Sequence, residues 1–236
     1  MPNSPPVQSL TIPAITKHTA TVILVHGLGD SGHGLTPIAD MFRTDPGISH
    51  IKWIFPHAPS RPVAANLGMI MPSWFDVKSF AFGAAEDEEG MMRAVDSLSQ
   101  IVRKEIELGV PSTRIVIGGF SQGSTISLLA GLTQDLNVRG VVTLSGWVPL
   151  QHKFKGLSQA ALSTSIFWGQ GSNDPIIKLP QTNESLDVLR DAGFKINSGV
   201  VEPTDVSFNY YQGAGHRAVP EELHDLKEWL KMVLPQ

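Results

Sequence analysis

The stretch TATVILVHG, residues 19–27, is apolar almost without interruption and ends on glycine. A strand with one wet face alternates apolar and polar residues, whereas a strand covered on both faces has no need to. Five further runs share this character: IKWIFPHAP (51–59), RIVIGGF (114–120), VRGVVTLSG (138–146), STSIFWGQG (163–171) and VSFNYYQGAG (206–215). Between them lie helical patterns. In EDEEGMMRAVDSLSQIVRKEIELG (86–109), Val95, Leu98, Val102 and Ile106 recur at steps of three or four, acids crowd the start, and Gly109 precedes Val110-Pro111 at the end. STISLLAGL (124–132), Leu179 to Ala192 stopped by Gly193, and PEELHDLKEWLKMVL with Leu223, Leu226, Trp229 and Leu230 on one stripe complete the set. Strands alternating with helices require crossover connections, so the chain predicts an α/β fold with a mostly parallel central sheet and helices on both faces.

Residues 60–85 are rich in glycine and aromatics and poor in periodicity, which predicts a long ordered excursion over one edge of the sheet. Residues 1–17 predict a flexible N-terminal segment, and no linker or composition break divides 18–236, so one domain is expected there. A net charge of -4 supplies no basic field for nucleic acid. There is no cysteine, which excludes disulfides, thiolate catalysis, a cysteine zinc site and thiol-linked lipid anchors. The start, MPNSPPVQSL, lacks the basic and apolar regions of a signal peptide, and no apolar run approaches ~18 residues. These features predict a soluble intracellular protein.

GGFSQG (118–123) lies between the run RIVI and the helical pattern STISLLAGL. A G-x-S-x-G between strand and helix holds its serine in a turn too tight for flanking side chains, with the hydroxyl projecting from the carboxyl edge of the sheet. Ser121 is therefore the candidate nucleophile; the plainer reading is a glycine turn with a capping serine. A serine hydroxyl needs a histidine base, and the histidine needs a carboxylate to fix its tautomer. In this strand–turn–helix setting the chain order is serine, acid, histidine. His216, in the glycine loop QGAGHRAVPEE after VSFNYY, fits the base. His224 falls on the last helix, and His152 precedes the candidate acid. Asp174, in the loop GSNDPII after a strand, fits the acid. Asp205 precedes a strand at the opposite end of the sheet, and Asp187 and Asp191 lie in or at the end of a helix. Acyl transfer also needs amides aimed at the developing oxyanion. The amide of Gln122 is one candidate, and that of Leu28, in VHGLGDSG, is the other. Gly27 and Gly29 let that loop approach a substrate, although it also reads as a simple glycine turn. His26 reads as support for the loop.

The pieces VILVHGLGDSG, FPHAPSRPV, MPSWFD, GGFSQG, VVTLSGWVP, GSNDP and YYQGAGHRAVPEEL, from about residue 20 to residue 230, together resemble the acyl-protein thioesterase and lysophospholipase group of alpha/beta hydrolases. The resemblance implies a compact alpha/beta hydrolase fold with no separate lid domain. It implies Ser121, Asp174 and His216 as catalytic residues, the amides of Leu28 and Gln122 as the oxyanion hole, Trp74 at the acyl site and Asp30 in the oxyanion-side loop. Implied substrates are palmitoylated and similarly S-acylated proteins, lysophospholipids and simple carboxylic esters. Also implied are a cytoplasmic location, in fungal members a nuclear one too, and weak self-association as a homodimer. The family usually carries serine after the catalytic histidine; here Arg217 stands there. The animal members' acylated N-terminal cysteine is absent, and NSGVVEPTD (197–205) is longer than expected at the rim.

Met69, Ile70, Met71, Trp74, Phe75, Phe80 and Phe82 cluster in the 60–85 excursion. Such residues ordinarily form core, but flexible methionine and aromatics also suit an acyl groove, with Met71 and Phe75 beside Trp74 as substrate-binding candidates and transient contact with a membrane surface as a corollary. Histidines lack ligand-like spacing and the early glycines do not make G-x-G-x-x-G, so neither a metal nor any other cofactor is expected. Two rivals accompany the thioesterase reading: a carboxylesterase for short soluble esters, and an inactive lipid- or protein-binding protein on the same fold.

Overall fold

In the computed structural model, which describes residues 7–81 and 83–236, an eight-stranded sheet runs through the molecule in the order β1-β3-β2-β6-β7-β8-β10-β9. The strands are β1 (Ser9–Ile12), β2 (Ala20–Val25), β3 (Ile51–Pro56), β6 (Ile115–Phe120), β7 (Gly140–Leu144), β8 (Ser165–Gly171), β9 (Ile196–Ser198) and β10 (Val206–Tyr211). All neighbours pair in parallel except β1, which runs antiparallel to β3. The six apolar runs thus become the six inner strands, and all six residues of β2 are buried.

Within each strand the side chains alternate between two cores. Ile23, Val25, Ile117, Val141, Ile166 and Trp168 meet α2 (Glu88–Glu107), α3 (Gln122–Thr133) and α5 (Leu179–Ala192). Val22, Leu24, Val116, Val142 and Phe167 face the other way, onto α1 (Gly32–Phe42) and α6 (Pro220–Val233). Apolar residues at every position are what a sheet sandwiched between helix layers demands. A short helix, α4 (Gln159–Leu162), precedes β8.

Three features depart from the sequence reading. Residues Ser9–Ile12, expected within a flexible lead-in, instead add an edge strand, with Ser9 to Ile12 opposite Pro56 to Trp53. Residues 1–6 of that segment, like Phe82, lie outside the described residues. The helix α1 carries Gly34 and Pro37, and these weak helix formers hid it; Leu35, Ile38, Ala39 and Phe42 hold it by burial. The excursion contains a two-stranded antiparallel hairpin, β4 (Ser60–Val63) and β5 (Met69–Pro72). NSGVVEPTD supplies the end of edge strand β9 and a return loop, which the Ser207 hydroxyl and the Asn209 amide anchor.

Candidate active site

The chain leaves β6 at Phe120 and enters α3 at Gln122, leaving Ser121 alone to make the turn. It does so at φ 52° and ψ -119°, a conformation that costs a non-glycine residue ~1–3 kcal/mol. Packing imposes it. A Cβ on Gly119 or on Gly123 would overlap the Val25 carbonyl oxygen, so strand and helix can crowd β2 this closely only with glycine at both positions. The Ser121 N–H donates to the Leu144 carbonyl at 2.8 Å, and its own carbonyl accepts from the Thr125 N–H at 3.1 Å.

The loop after β10 carries His216 and the loop after β8 carries Asp174, so three strand ends bring the expected residues into one hydrogen-bonded chain. His216 Nδ1 lies 2.8 Å from Asp174 Oδ2, and Nε2 lies 2.9 Å from Ser121 Oγ. An ionised carboxylate only accepts, so the proton sits on Nδ1, and the bare Nε2 faces the serine hydroxyl. Asp174 Oδ1 accepts from the amides of Ile176 and Ile177 at 2.8 and 2.9 Å. Burial pushes the Asp174 carboxyl up, but the His216 hydrogen bond and those two amides outweigh it and hold the group below the usual carboxylate range. The Phe120 ring backs the imidazole at a centroid distance of 4.8 Å.

The rival residues are elsewhere. Asp205 lies just before β10 and accepts from the Lys195 amide at 3.3 Å. Asp187 pairs with Arg190, while Asp191 and His224 are exposed on helices. His152 lies 3.6 Å from Glu88 on the surface. Arg217 is exposed, with its amide turned onto the Gly215 carbonyl at 2.9 Å.

Leu28 and Gln122 line a cavity of about 80 Å³ directly over Ser121, together with Val77, Phe80, Trp147 and Ile177. Through Val77, Ser79, Ala81, Trp147 and Gln181 it adjoins a second cavity of about 380 Å³, whose walls include Phe75, Met91, Val148 and Leu150. The Gln122 side chain turns away from this space: its Oε1 accepts from the Trp74 amide at 2.9 Å and its Nε2 donates to the Phe75 carbonyl at 2.8 Å. Residues 73–75 are thereby tied beneath the turn that holds the serine.

Trp74, expected at the acyl site, is 2% exposed and does not line either of these cavities. Its indole N–H donates to the His26 carbonyl at 2.9 Å, so it braces the loop after β2 from below. Phe75 is also buried and forms a wall of the larger cavity, edge-on to Trp147 at 6.1 Å. Met71 lies half-buried on the hairpin, its sulfur facing Gly29 of the oxyanion-side loop. Asp30 packs its carboxylate against Gly34 in the first turn of α1. Sequence reasoning missed Trp147, Ile176, Ile177 and Gln181. The first three sit in loops just past β7 and β8, at the sheet edge where parallel strands present their functional loops, and that placement was the available signal.

A family model described as Phospholipase/Carboxylesterase matches residues 8–234. The chain belongs to the phospholipase/carboxylesterase family. It is 42% identical over 241 residues to acyl-protein thioesterase 1 of Cryptococcus neoformans, covering 99% of this chain and 100% of that protein. It is 40% identical to the protein of the same name from Yarrowia lipolytica, over 96% of this chain and 97% of the relative. Among solved structures, Arabidopsis thaliana SOBER1 superposes with a TM-score of 0.83 at 32% identity, covering 92% of this chain and 99% of that one. Zea mays acyl-protein thioesterase 2 gives 0.79 at 27% identity, over 97% and 99% of the two chains. Within this family the eight-stranded, mostly parallel sheet with helices on both faces is the alpha/beta hydrolase fold expected from the sequence.

Proposed function

We propose that this protein is an acyl-protein thioesterase that cleaves palmitate and similar long acyl chains from protein cysteines through an acyl-enzyme. The observation that carries the reading is the unbroken hydrogen-bonded chain Ser121–His216–Asp174 at the mouth of an apolar-walled cavity. Ser121 Oγ attacks the thioester carbonyl carbon while His216 Nε2 takes its proton. Asp174 stabilises the imidazolium and keeps its tautomer. The carbonyl oxygen, now negative, accepts from the amides of Leu28 and Gln122. The carbon–sulfur bond then breaks, His216 returns the proton to the departing thiolate, and water activated by the same nitrogen releases the fatty acid.

The two adjoining cavities support an acyl site, because each methylene they take from water contributes roughly 0.8 kcal/mol. Their walls, Phe75, Val77, Trp147 and Leu150 among them, replace Trp74 and Met71 as the residues in line for substrate contact. Lysophospholipids carry their acyl carbonyl on oxygen in place of sulfur, are open to the same attack, and follow as secondary substrates. Leu67, Met69 and Ile70, at 98%, 61% and 73% exposure on the hairpin, support transient contact with a lipid surface from which such chains are drawn. Among the described residues no helix is long and apolar enough to cross a membrane.

One observation favours the short-ester reading instead: the far wall of the larger cavity carries Glu86, His152 and Glu184. The deciding experiment compares kcat/KM for an S-palmitoylated peptide, a lysophosphatidylcholine and a short acyl ester, with Ser121→Ala as control. The thioesterase reading expects the peptide to win and the variant to be silent. A short ester that wins by a wide margin overturns it, and failure to label with a fluorophosphonate probe would return the inactive binding protein.

A further inference from the structure

His26 follows β2 immediately, is fully buried, and has both ring nitrogens engaged. Nδ1 lies 2.7 Å from the Gly27 carbonyl oxygen, and Nε2 lies 3.0 Å from the amide nitrogen of Ala58. A carbonyl can only accept and an amide N–H can only donate, so the proton is on Nδ1 and a lone pair on Nε2. The backbone carbonyl of the same residue takes the Trp74 indole N–H, and the two rings pack at 5.3 Å. One imidazole therefore joins three segments, at Gly27, Ala58 and Trp74, which meet beneath the backbone that leads to Leu28.

Resting on the proposed reading of the site, we infer that His26 is a positioning residue: its neutral, Nδ1-protonated imidazole holds the Gly27–Leu28 backbone ready for the oxyanion, and a proton on Nε2 releases that loop and switches acyl transfer off. A second proton would set the Nε2–H and Ala58 N–H donors head to head and leave a charge in a fully buried place.

The groups facing the ring set where this happens. Burial comes first and holds His26 below the usual histidine range; the Gly27 carbonyl and Asp30 on its own loop favour the proton, and His57, beside Ala58, opposes it. The His33 ring lies tilted against His57 at 5.5 Å and adds a third imidazole on that side. Trp74 presents only a ring, and α3 approaches with Gly123, which has no side chain. His216 lies beyond Ser121, with Nε2 on the serine hydroxyl.

Two measurements test this. The first is a titration of the imidazole ¹⁵N and backbone amide resonances of the wild-type protein. It should show the Nδ1–H tautomer of His26 at pH 7 and, as His26 protonates, movement of the Gly27, Leu28 and Ala58 amides. The second is the acid limb of log kcat/KM on a soluble acyl ester. In wild type it should be steeper by one unit of slope than in a variant whose residue 26 cannot titrate. His26→Ala should lower kcat 10- to 100-fold with little change in KM. His26→Asn retains a donor for the Gly27 carbonyl and cannot titrate, so it should recover part of kcat and lack that extra unit of slope.

An Nε2–H tautomer, a His26 titration that leaves the Leu28 amide still, or a loss confined to KM would overturn the inference. The resonance measurement decides even if the variants fail to fold. Unimpaired turnover by Ser121→Ala would instead sink the proposed reaction itself, so the two failures are distinguishable.

Discussion

The turn at Ser121 and the hairpin Ser60–Pro72 border the same loop after β2, yet they are held in opposite ways. Around Ser121 the strand β6 and the whole of α3 through Leu132 are buried or nearly so, glycines touch the backbone of β2, and the backbone groups of the strained residue are bonded on both sides. The hairpin contributes only Val63 to the buried interior and leaves Leu67, Met69 and Ile70 in solvent. Its link to the site is the Pro72 carbonyl, which accepts from the Gly29 N–H at 2.8 Å, with Met71 alongside. Reactive atoms must be held to fractions of an ångström, and that demands dense packing. Surfaces that receive varied substrates tolerate, and need, looser attachment.

The largest effect expected from breaking the rigid side is chemical. Ser121→Ala should lower kcat/KM by about ten-thousand-fold or more, with Asp174→Asn close behind because the wrong tautomer of His216 is then favoured. Steady-state kinetics on a soluble acyl ester would check both, and near-normal turnover would refute the proposed roles. Next comes Gly123→Ala. Its new Cβ has to displace the Val25 carbonyl, so denaturant unfolding should show a loss of ~4 kcal/mol or complete failure to fold.

A third test concerns Glu222, on α6 just past His216. It is buried, Oε2 accepts from the Val219 amide at 3.3 Å, and Oε1, against Gly169, has no partner among the described residues. Burial pushes its carboxyl up to about 8, aided by Asp174 and Asp225 and opposed by the Val219 amide. The unfolded chain gives up this proton near 4.5, so between 4.5 and about 8 the folded state binds more protons than the unfolded one. The contribution of Glu222 to stability is therefore best at acid pH and declines as pH rises through that window. Glu222→Gln, uncharged in both states, should be more stable than wild type at pH 8, by at most about 4 kcal/mol, with the gap closing near pH 4. Parallel denaturant curves across that range would expose an error in sign. The smallest effect in solution belongs to the hairpin. Met69→Ser with Ile70→Ser should change stability by under about 0.5 kcal/mol and leave short-ester turnover intact. Cleavage of acyl chains presented on vesicles should fall several-fold, and an unchanged vesicle rate would remove the hairpin from substrate capture.

The inner strands were legible in the sequence because strands sandwiched between helix layers must be apolar at every position, as in ATVILV. Ser121, Asp174 and His216 could be chosen because each directly follows such a strand, and a parallel sheet brings those ends to one edge. Helix α1 was not legible: its glycine and proline argue against a helix, and only burial of Leu35, Ile38, Ala39 and Phe42 under the sheet overrides them. Nor was the edge strand at Ser9–Ile12, whose partner lies more than forty residues away.

What the sequence by itself determined is the fold class, the six inner strands and the three residues now joined through His216, because periodicity, glycine sterics and chain order act locally. Only the tertiary structure decided where the aromatics of MPSWFD go. Trp74 turns inward to the His26 carbonyl, Phe75 becomes a cavity wall, and Met69 and Ile70 remain outside. An apolar side chain is equally content against core, ligand or lipid, and which of these it meets depends on neighbours that the chain brings from far away.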